Sequence, residues 1–476
     1  MAVQNGKALK EGDVIQAKKS SIKILKKLGG GGQGNVYEVE YNGKRMCLKW
    51  YHPHYLKKLE KIQIAEVNGY FKPLFYFKDS DHVSASGVAS KKFYHQMVER
   101  YEKGSPSADF AWPIDYTTWN ESSQQQFGYV MEKIDMGTFK SFKYYLHVEH
   151  ARDFHSGRHM ITGLMNFVKT MQLLHSAGWC YQDINPDNVC MDDHGNVKVL
   201  DTDNIMPNGC SLGLTGMPEY QAPEVILGSA PDKYSDYFAE ALFIFYVLMG
   251  GQHPFLGSYC QTHHREFNEE FASDPIFIFD PNDKRNVLTT ENSFAEYQWP
   301  QLPDYIRDAF IRTFGKNGVK DPKSRLTDME WIELLDRMRS DHYRCTCGNS
   351  LYLKEDGVTP TQCADCGKQH IAAWGILCSG SKRIPLKPKT AIYCSALGFP
   401  VKDFNVEFLR ALVDIDPATK KPALMLHNML KVDWKVVYPK TGEEKIVKNG
   451  EHTKMIFGMK IILQTKTPKT YTIVKQ

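Results

Sequence analysis

A glycine tract near the start of the chain constrains the fold more than any other feature. The pattern G-x-G-x-x-G-x-V is met by Gly29, Gly31, Gly34 and Val36. The tract stands between two segments that alternate like β-strands, Ile22–Ile24 and Val36–Glu40, with a third predicted strand at Arg45–Trp50. A tract between two strands excludes the dinucleotide-binding interpretation, which needs a strand followed by a helix. Taken alone, the tract fits an ordinary flexible hairpin at least as well as a hairpin whose N–H groups approach phosphates.

Four polar residues supply the chemistry that the glycine hairpin lacks. Lys49 ends an apolar strand, where an ammonium group is costly to bury unless it meets an anion such as a phosphate ester. Asp183 stands five residues before Asn188, and Asp201 ends the next predicted strand. Phosphoryl transfer needs a carboxylate that orients and deprotonates a hydroxyl, here Asp183, and ligands for Mg²⁺ or Mn²⁺, here Asn188 and Asp201. Each residue alone could cap a helix or form a turn, but their order favours phosphoryl transfer.

Residues from about 20 to 340 resemble the eukaryotic-type protein kinase domain on these motifs and on three others. The others are Tyr129–Glu132, similar to the strand that enters the adenine hinge, Gln221–Glu224, similar to A-P-E, and Asp321–Arg325, similar to a late arginine motif. The resemblance implies a bilobal α+β fold. It also implies that ATP is bound by the glycine hairpin, Lys49, Met131 and Glu132, and that Glu224 and Arg325 form a structural ion pair.

Two departures from the family pattern lie in the catalytic loop. Gln182 stands where the family has an arginine that meets an activation-loop phosphate, and Asn185 replaces a lysine. A glutamine amide is neutral and cannot balance the charge of a phosphate group. We therefore predict that activity is independent of phosphorylation at Ser211 or Thr215, and that control comes through the C-terminal module or a partner phosphatase.

Two further departures concern the metal ligand and the partner of Lys49. The tripeptide Asp201–Asp203 replaces D-F-G, so the ligand is kept and the phenylalanine is missing. In the family the lysine pairs with a glutamate on the following helix. Glu99 and Glu102 both lie on a predicted helix over Ser90–Lys103. The sequence leaves open which of them pairs with Lys49, or whether the helix has lost this role.

Finer motifs resemble a bacterial group of these kinases. They are Gly104–Ser107, Phe110–Asp115, Gly251–Pro254, Phe277–Asp283 and a cysteine cluster. Members of the group are encoded beside a TerY-type von Willebrand A protein and a metal-dependent Ser/Thr phosphatase, in phosphorylation triads linked to stress and tellurite resistance. The resemblance implies these two proteins as partners, beside a protein substrate.

The cysteine cluster predicts a structural zinc site. Its ligands would be Cys345, Cys347, Cys363 and Cys366, arranged as two knuckles with a glycine after each second cysteine. Four thiolates leave no open position for water, which argues for a structural role. The alternatives are a pair of disulfides, or His342 or His370 in place of one cysteine.

The region after the cluster predicts a small β-sandwich or barrel, with strands at Trp434–Tyr438, Lys445–Val447, Met459–Leu463 and Thr470–Val474. From residue 378 onward it carries 18 Lys and Arg against 8 Asp and Glu. This charge fits a solvated module or docking to an acidic partner. The strand rhythm, with Leu426–Leu430 and Ile456–Gly458, resembles a forkhead-associated sandwich. The only arginines from residue 378 onward are Arg383 and Arg410. Both precede these two segments, which argues against phosphothreonine recognition.

Length and charge limit the remaining function classes. The chain has 476 residues and a net charge of +4, and so small a charge spread over this length argues against a nucleic-acid-binding protein. Its longest apolar run, Ala241–Met249, is too short to span a membrane. The N-terminus has no apolar signal segment, so we expect a cytoplasmic protein. We expect an N-terminal extension (1–20), a kinase-like domain (21–340, with lobes 21–131 and 132–340), a zinc ribbon (341–375) and a β-rich module (386–476). The expected function is an ATP-dependent Ser/Thr protein kinase. The alternatives are a pseudokinase scaffold and, less favoured, a small-molecule kinase.

Overall fold

The structure is a computed structural model that describes residues 8–77, 82–119, 126–147, 157–214, 216–262, 267–289, 293–354, 361–370, 374–380, 382–397, 399, 405–466 and 468–475. The described residues divide into two compact units. The first falls within Met1–His155, Asn166–Ser293 and Ala309–Glu330, and the second within Ser156–Met165, Phe294–Asp308 and Trp331–Gln476. Among the helices of these ranges, none combines the length and the apolar character that crossing a bilayer requires.

The first unit begins with strands and two helices. In chain order they are β1 (Val14–Gln16), β2 (Ser21–Gly30), β3 (Gly34–Tyr41), β4 (Lys44–Tyr51), α1 (Pro53–Glu60), β5 (Gln63–Val67), β6 (Tyr70–Pro73), β7 (Gly87–Val88), α2 (Ala89–Lys103), β8 (Asp115–Tyr116) and β9 (Gly128–Met131). Six strands form one sheet in the order β1-β2-β3-β4-β9-β8, and β6-β5-β7 form a smaller sheet. The three strands predicted around the glycine tract and the helix predicted at Ser90–Lys103 are confirmed.

Helices dominate the remainder of the first unit. The elements are β10 (Lys140–Ser141), α3 (Phe142–Leu146), α4 (Arg158–Ser176), β11 (Trp179–Cys180), β12 (Val189–Met191), β13 (Val197–Val199), β14 (Met206–Pro207), α5 (Pro223–Ile226), α6 (Lys233–Leu248), α7 (Ser258–Thr262), α8 (Glu269–Ser273), α9 (Ser293–Gln298), α10 (Asp304–Phe314), α11 (Lys316–Lys320) and α12 (Asp328–Asp341); α4, α9, α10 and α12 extend wholly or partly into the second unit's ranges. Phe245 of α6 packs its ring against Phe310 and Phe277, with centroids 5.1 and 5.6 Å apart. The nearly all-apolar segment from Asp236 to Gly250 predicts a deeply buried helix. Helix α6 confirms this prediction as the buried centre of this part.

The start of α6 differs from the prediction, which began this helix at Asp236. The helix begins at Lys233, because the Asp232 side chain accepts hydrogen bonds from the N–H groups of Tyr234 and Ser235. The Ser235 hydroxyl in turn receives the Asp232 N–H, which completes a reciprocal cap. Asp236 lies inside the helix and is free to serve the catalytic loop.

The spacing of Met329, Ile332, Leu335 and Met338 predicts a helix from Asp328 to Met338 with these four residues on its apolar face. Helix α12 begins at the predicted residue and ends three residues after the predicted end, at Asp341. Ile332, Leu335 and Met338 are buried, whereas Met329 is 47% exposed. In the first turn of this helix the inward position belongs to Asp328, whose carboxylate accepts from the His175 ring at 3.0 Å. A polar contact with His175 therefore displaces the expected apolar one.

The second unit continues with the strands β15 (His342–Arg344), β16 (Ser350–Tyr352), β17 (Thr361–Gln362), β18 (Gln369–His370), β19 (Gly375–Ser379), β20 (Lys382–Leu386), β21 (Thr390–Tyr393), β22 (Glu407–Ile415), β23 (Pro422–Asn428), β24 (Trp434–Val437), β25 (Glu444–Val447), β26 (His452–Lys454), β27 (Lys460–Leu463) and β28 (Thr470–Val474). The four predicted C-terminal strands are confirmed within a residue at each end. Strands β15 to β18 form two hairpins around the cysteines.

Two sheets of the second unit enclose one hydrophobic core. Their orders are β20-β19-β28-β27-β24-β25 and β21-β22-β23-β26. Phe408 of the second sheet lies 5.3 Å from the Trp434 ring and 4.9 Å from the Tyr471 ring of the first. The module is therefore a sandwich, the first of the two predicted architectures. Strands β19 and β20 extend it upstream of residue 386, where the sequence places its start.

Candidate active site

The glycine hairpin connects β2 to β3. The Gly31 N–H donates to the Gly34 carbonyl across the turn at 2.9 Å, and Val36 lies opposite both Gly29 and Lys49 in the sheet. A Cβ on Gly34 would lie 2.5 Å from a backbone carbonyl oxygen of β4. Only glycine lets β3 approach β4 this closely, which places the hairpin next to the lysine.

Lys49 lies in β4, and its ammonium group is buried among carboxylates. Its Nζ donates to Asp201 at 2.6 Å and to the Gln33 side-chain oxygen at 3.0 Å, and it forms a second ion pair with Asp203. Burial alone would lower the pKa of Lys49, but the charges of Asp203 and Asp201 outweigh burial and raise it. Lys49 therefore remains a cation at neutral pH.

Neither of the glutamates considered on α2 reaches Lys49. Glu99 forms an ion pair with a lysine four residues along the helix, at 2.7 Å, and Glu102 pairs with a lysine near the N-terminus, at 3.8 Å. Among the residues that the structure describes, the carboxylates paired with Lys49 are those of Asp201 and Asp203. The sequence did not indicate Asp203, because the family pattern has a glycine at that position.

Asp183 lies in a loop rich in carboxamide groups. Its Oδ1 accepts a hydrogen bond from Asn185 at 3.1 Å, and its Oδ2 accepts from Asn188 and Asn204, each at 3.2 Å. Burial and the charge of Asp201 raise the pKa of Asp183 to about 6, against the opposing effect of these donors. A carboxylate with a pKa near neutrality is suited to accept a proton from a hydroxyl group. Asn204 had not been predicted as part of this site.

The backbone of this loop is fixed from α6. The Asp236 carboxylate accepts from the N–H of Tyr181 at 2.6 Å and from the N–H of Gln182 at 3.1 Å. Gln182 has a φ of 65°, in the left-handed region that a side chain other than glycine rarely adopts. The two hydrogen bonds hold this conformation immediately before Asp183.

Asp201 and Asn188 offer oxygen ligands that suit a divalent cation. Asn188 donates its amide nitrogen to Asp183, which leaves its carbonyl oxygen for a metal. Burial and the neighbouring charge of Asp203 raise the pKa of Asp201, although Lys49 opposes this effect. A cation at this point would offset the repulsion between the carboxylates. The donor set therefore fits Mg²⁺, which prefers carboxylate and carbonyl oxygens.

The segment that precedes the A-P-E-like motif lies directly against Asp183. A Cβ on Gly216 would lie 2.3 Å from Asp183 Oδ1 and 3.1 Å from Asp183 Cα. The Gly216 carbonyl accepts a hydrogen bond from the Gln221 side chain at 2.5 Å. The backbone of residue 216 can therefore approach the Asp183 carboxylate this closely only because glycine has no side chain. No local sequence pattern indicated that contact.

The Gln182 side chain anchors the activation segment, which we define as the stretch from Asp201 to the A-P-E-like motif at Gln221–Glu224. Its amide nitrogen donates to the Cys210 carbonyl at 2.7 Å. Ser211 is fully buried, and its N–H donates to the Phe71 carbonyl of β6 at 3.0 Å. Neutral hydrogen bonds and apolar packing thus hold this segment where the family pattern uses an arginine and a phosphate. Thr215 lies outside the described residues.

The predicted adenine hinge follows β9, next to the strand that carries Lys49. Met131 ends β9, opposite Cys47 of β4. The Glu132 carboxylate is 56% exposed and pairs with Lys198 at 3.0 Å. The side chain of Glu132 therefore serves an ion pair, and its backbone remains for contact with a base.

The predicted structural ion pair is present in the first unit. Both terminal guanidinium nitrogens of Arg325 donate to Glu224, at 2.7 and 2.8 Å. Arg325 is buried and also donates to the backbone carbonyls of Gly318 and Tyr234, at 2.8 and 2.9 Å. The pair joins α5 to the start of α6 and to α11.

Four cysteine sulfurs lie together in the second unit, as the sequence predicts. Those of Cys345, Cys347, Cys363 and Cys366 are all within 4.8 Å of one another. The Cys345–Cys366 and Cys347–Cys363 distances are 3.6 Å, close to the edge of about 3.8 Å for a tetrahedron with Zn–S bonds of about 2.3 Å. All four are free thiols and not disulfides. His370 contacts Cys345 Sγ at 3.0 Å as an outer partner, and His342 bonds Ser350 instead.

Residues 114–336 match the family model described as the protein kinase domain. The chain is 25% identical to protein kinase YegI of Escherichia coli O157:H7 over 197 residues, 38% of this chain and 29% of that protein. It is 26% identical to CBL-interacting serine/threonine-protein kinase 15 of Arabidopsis thaliana over 30% of this chain and 38% of that protein. It is 28% identical to a probable myosin light chain kinase of Dictyostelium discoideum over 36% of this chain and 44% of that protein.

The chain thus spans less than half the length of these curated relatives. The match to the family covers the catalytic loop, both predicted metal ligands, the A-P-E-like segment and the buried ion pair. The glycine hairpin and Lys49 lie upstream of it, and they meet the matched region through Asp201 and Asp203. Together these findings support a eukaryotic-type protein kinase domain over residues 114–336, and a β-rich C-terminal region follows it.

Proposed function

We propose that this chain transfers the γ-phosphate of ATP to Ser or Thr hydroxyls of a partner protein. The observation that carries the proposal is that Lys49, Asp201 and Asp183 lie together in one site. Lys49 binds Asp201 at 2.6 Å, and Asp183, bonded to Asn188, lies near enough to Asp201 for that charge to raise its pKa. This combination of a phosphate-binding cation, metal ligands and a proton acceptor serves phosphoryl transfer.

Each group has a defined part in the reaction. Asp183 orients the acceptor hydroxyl and takes its proton, while Asn185 and Asn204 hold the carboxylate through their amide groups. Lys49 and the hairpin N–H groups offset charge on the phosphates. Asn188 and Asp201 would hold Mg²⁺, which supplies further charge neutralisation across the phosphates when bound. Met131 and Glu132 would meet the adenine ring through their backbone.

The test compares γ-phosphate transfer by the wild-type protein and by Asp183→Asn. Loss of the proton acceptor should lower the rate by about 10²–10⁴-fold. The matched control is Asp187→Asn, which alters an exposed carboxylate that pairs with Lys143 at 2.7 Å and belongs to the same loop. Equal rates in the two variants would contradict the assignment of Asp183.

A pseudokinase scaffold is the second candidate. It is favoured by the state of Lys49, whose charge is already matched by two carboxylates, and by Asn185 in place of the family lysine. A scaffold of this kind would bind Mg-nucleotide with no transfer at any enzyme concentration. Nucleotide binding measured beside the transfer assay separates the two functions.

We place the kinase domain in a bacterial stress circuit, in the cytoplasm. The supporting observations are the relative named protein kinase YegI from Escherichia coli and the sequence motifs of the tellurite-resistance triads. The partners would be a von Willebrand A-type protein and a metal-dependent Ser/Thr phosphatase, with the basic sandwich as the docking module. Co-purification of these proteins with the full chain, but not with a chain that ends near residue 340, would support this placement.

We assign the four-cysteine cluster to a structural Zn²⁺ within a ribbon at residues 341–375. The sulfur separations support this assignment, and the thiol-only donor set is one that zinc prefers. Elemental analysis should find one equivalent of zinc in protein purified without chelator, and Cys363→Ser with Cys366→Ser should release it. Cys378→Ser, outside the cluster, is the control. Absence of zinc in the wild-type protein would contradict the assignment.

A further inference from the structure

Lys49 is held by the loop after β13, which carries Asp201 and Asp203. Its Nζ contacts the Asp203 carboxylate, which is completely buried. The second Asp203 oxygen accepts a hydrogen bond from the Tyr51 hydroxyl at 2.7 Å. Tyr51 follows Lys49 by two residues in β4 and points to the same side of the strand. One carboxylate thus ties two neighbouring positions of β4 to the loop that carries Asp201.

Helix α2 contributes a cation to this region instead of an anion. Its Arg100 is fully buried and donates to the backbone carbonyls of Asp203 and Ile205, at 3.3 and 2.8 Å. Phe93 and Met97 of the same helix lie in the hydrophobic core. The helix therefore fixes the backbone of the loop, and the loop in turn supplies the carboxylate for Lys49.

We infer that Asp203 is the positioning residue for Lys49, in place of a glutamate on the helix. The inference rests on the proposed function and deepens it. Asp201 cannot serve Lys49 alone, because the same carboxylate is needed as a metal ligand when nucleotide binds. Asp203 is fully enclosed and is not needed by the metal, so it continues to hold Lys49 toward the phosphates. The position of the Lys49 ammonium group then depends on the conformation of residues 201–205, and not on a carboxylate of α2.

The experiment compares Asp203→Asn with Glu99→Gln and Glu102→Gln in the full chain. We expect Asp203→Asn to lower kcat by about 100-fold, since a misplaced phosphate-binding cation costs this much. The KM for ATP should rise by much less, and Mg-AMPPNP affinity should fall by about fivefold. Both glutamate variants should retain wild-type kcat and affinity. A loss in either glutamate variant as large as that in Asp203→Asn would overturn the inference.

A double-mutant cycle separates positioning from a structural effect. If Asp203 acts only through Lys49, then adding Asp203→Asn to Lys49→Met lowers kcat no further than Lys49→Met alone. Full additivity of the two losses would overturn the inference. Tyr51→Phe is the milder variant, in case Asp203→Asn fails to fold, because it removes only the hydroxyl that binds Asp203. It should lower kcat by about tenfold, while the loss of one buried hydrogen bond should lower Tm by only a few degrees, and an unchanged kcat would contradict the inference.

Failure of the proposed function is distinguishable from failure of this inference. If the wild-type protein binds Mg-AMPPNP but transfers no phosphate, the kinase proposal fails and the affinity measurements alone decide the role of Asp203. A fall in affinity in Asp203→Asn, with none in Glu99→Gln, then supports the inference. Equal affinity in wild type and Asp203→Asn overturns it.

Discussion

Substitution of Gly216 by alanine tests how closely the activation segment controls Asp183. The added methyl carbon would lie 2.3 Å from Asp183 Oδ1, whereas carbon and oxygen atoms normally approach no closer than about 3.3 Å. The carboxylate would have to move by about 1 Å, and its own Cα, 3.1 Å from the methyl group, restricts the direction. A displacement of about 1 Å at a reacting group lowers the rate by about 10²-fold, which corresponds to about 2.7 kcal/mol.

The assay is steady-state phosphoryl transfer by Gly216→Ala, with Mg-nucleotide affinity and Tm measured on the same samples. We expect kcat to fall by about 10²-fold, with nucleotide affinity near that of the wild type, because the atoms nearest to a Gly216 Cβ belong to Asp183 and not to Lys49 or Asp201. Gly87→Ala is the matched control, since a Cβ there meets no atom within 4 Å and the backbone needs no positive φ. A Gly216→Ala rate close to that of the control would refute the reasoning.

Three other predictions address stability and regulation. Glu224→Gln should lower the free energy of unfolding by about 3 kcal/mol, because it leaves the buried Arg325 without its counterion; urea unfolding measures this, and a loss below about 1 kcal/mol would count against it. Burial would lower the pKa of His175, but its bonds to two aspartates raise it from 6.5 to about 9. The stabilisation from that proton is complete below pH 6.5 and is lost as the pH rises through 9, so Tm should fall over this range in the wild type and less in His175→Gln. Ser211→Ala should retain full transfer activity, with no phosphate found at Ser211 by mass spectrometry, and a large loss of activity would contradict phosphorylation-independent control.

The parts of the site that depend on local sequence could be predicted. A glycine tract between strands, a lysine in the next strand and an Asp followed five residues later by an Asn define backbone geometry within short segments. The positions of Gly34, Lys49 and Asp183 follow from these patterns. The C-terminal strands were predicted for the same reason, because period-two alternation and turn residues are local signals.

The parts that depend on distant contacts could not be predicted. Asp203 replaces a glycine of the family pattern, and its pairing with Lys49 arises only when the loop after β13 folds against β4. The contact of Gly216 with Asp183 likewise leaves no trace in spacing or composition. Met329 shows the reverse case, in which helical periodicity predicted burial but the polar contact between Asp328 and His175 took the inward position.

The packing of the activation segment links activity to protein abundance. Met206, Cys210 and Leu212 belong to the same core as α2 and the small β5–β7 sheet. Releasing them to water would cost about 1.5–3 kcal/mol for each large side chain, and most domains have only about 5–15 kcal/mol of total stability. Opening this segment therefore approaches partial unfolding, which exposes a chain to proteolysis. Substitutions at these three positions should therefore mainly lower the steady-state level of the protein in the cell, even where the purified enzyme retains its turnover rate.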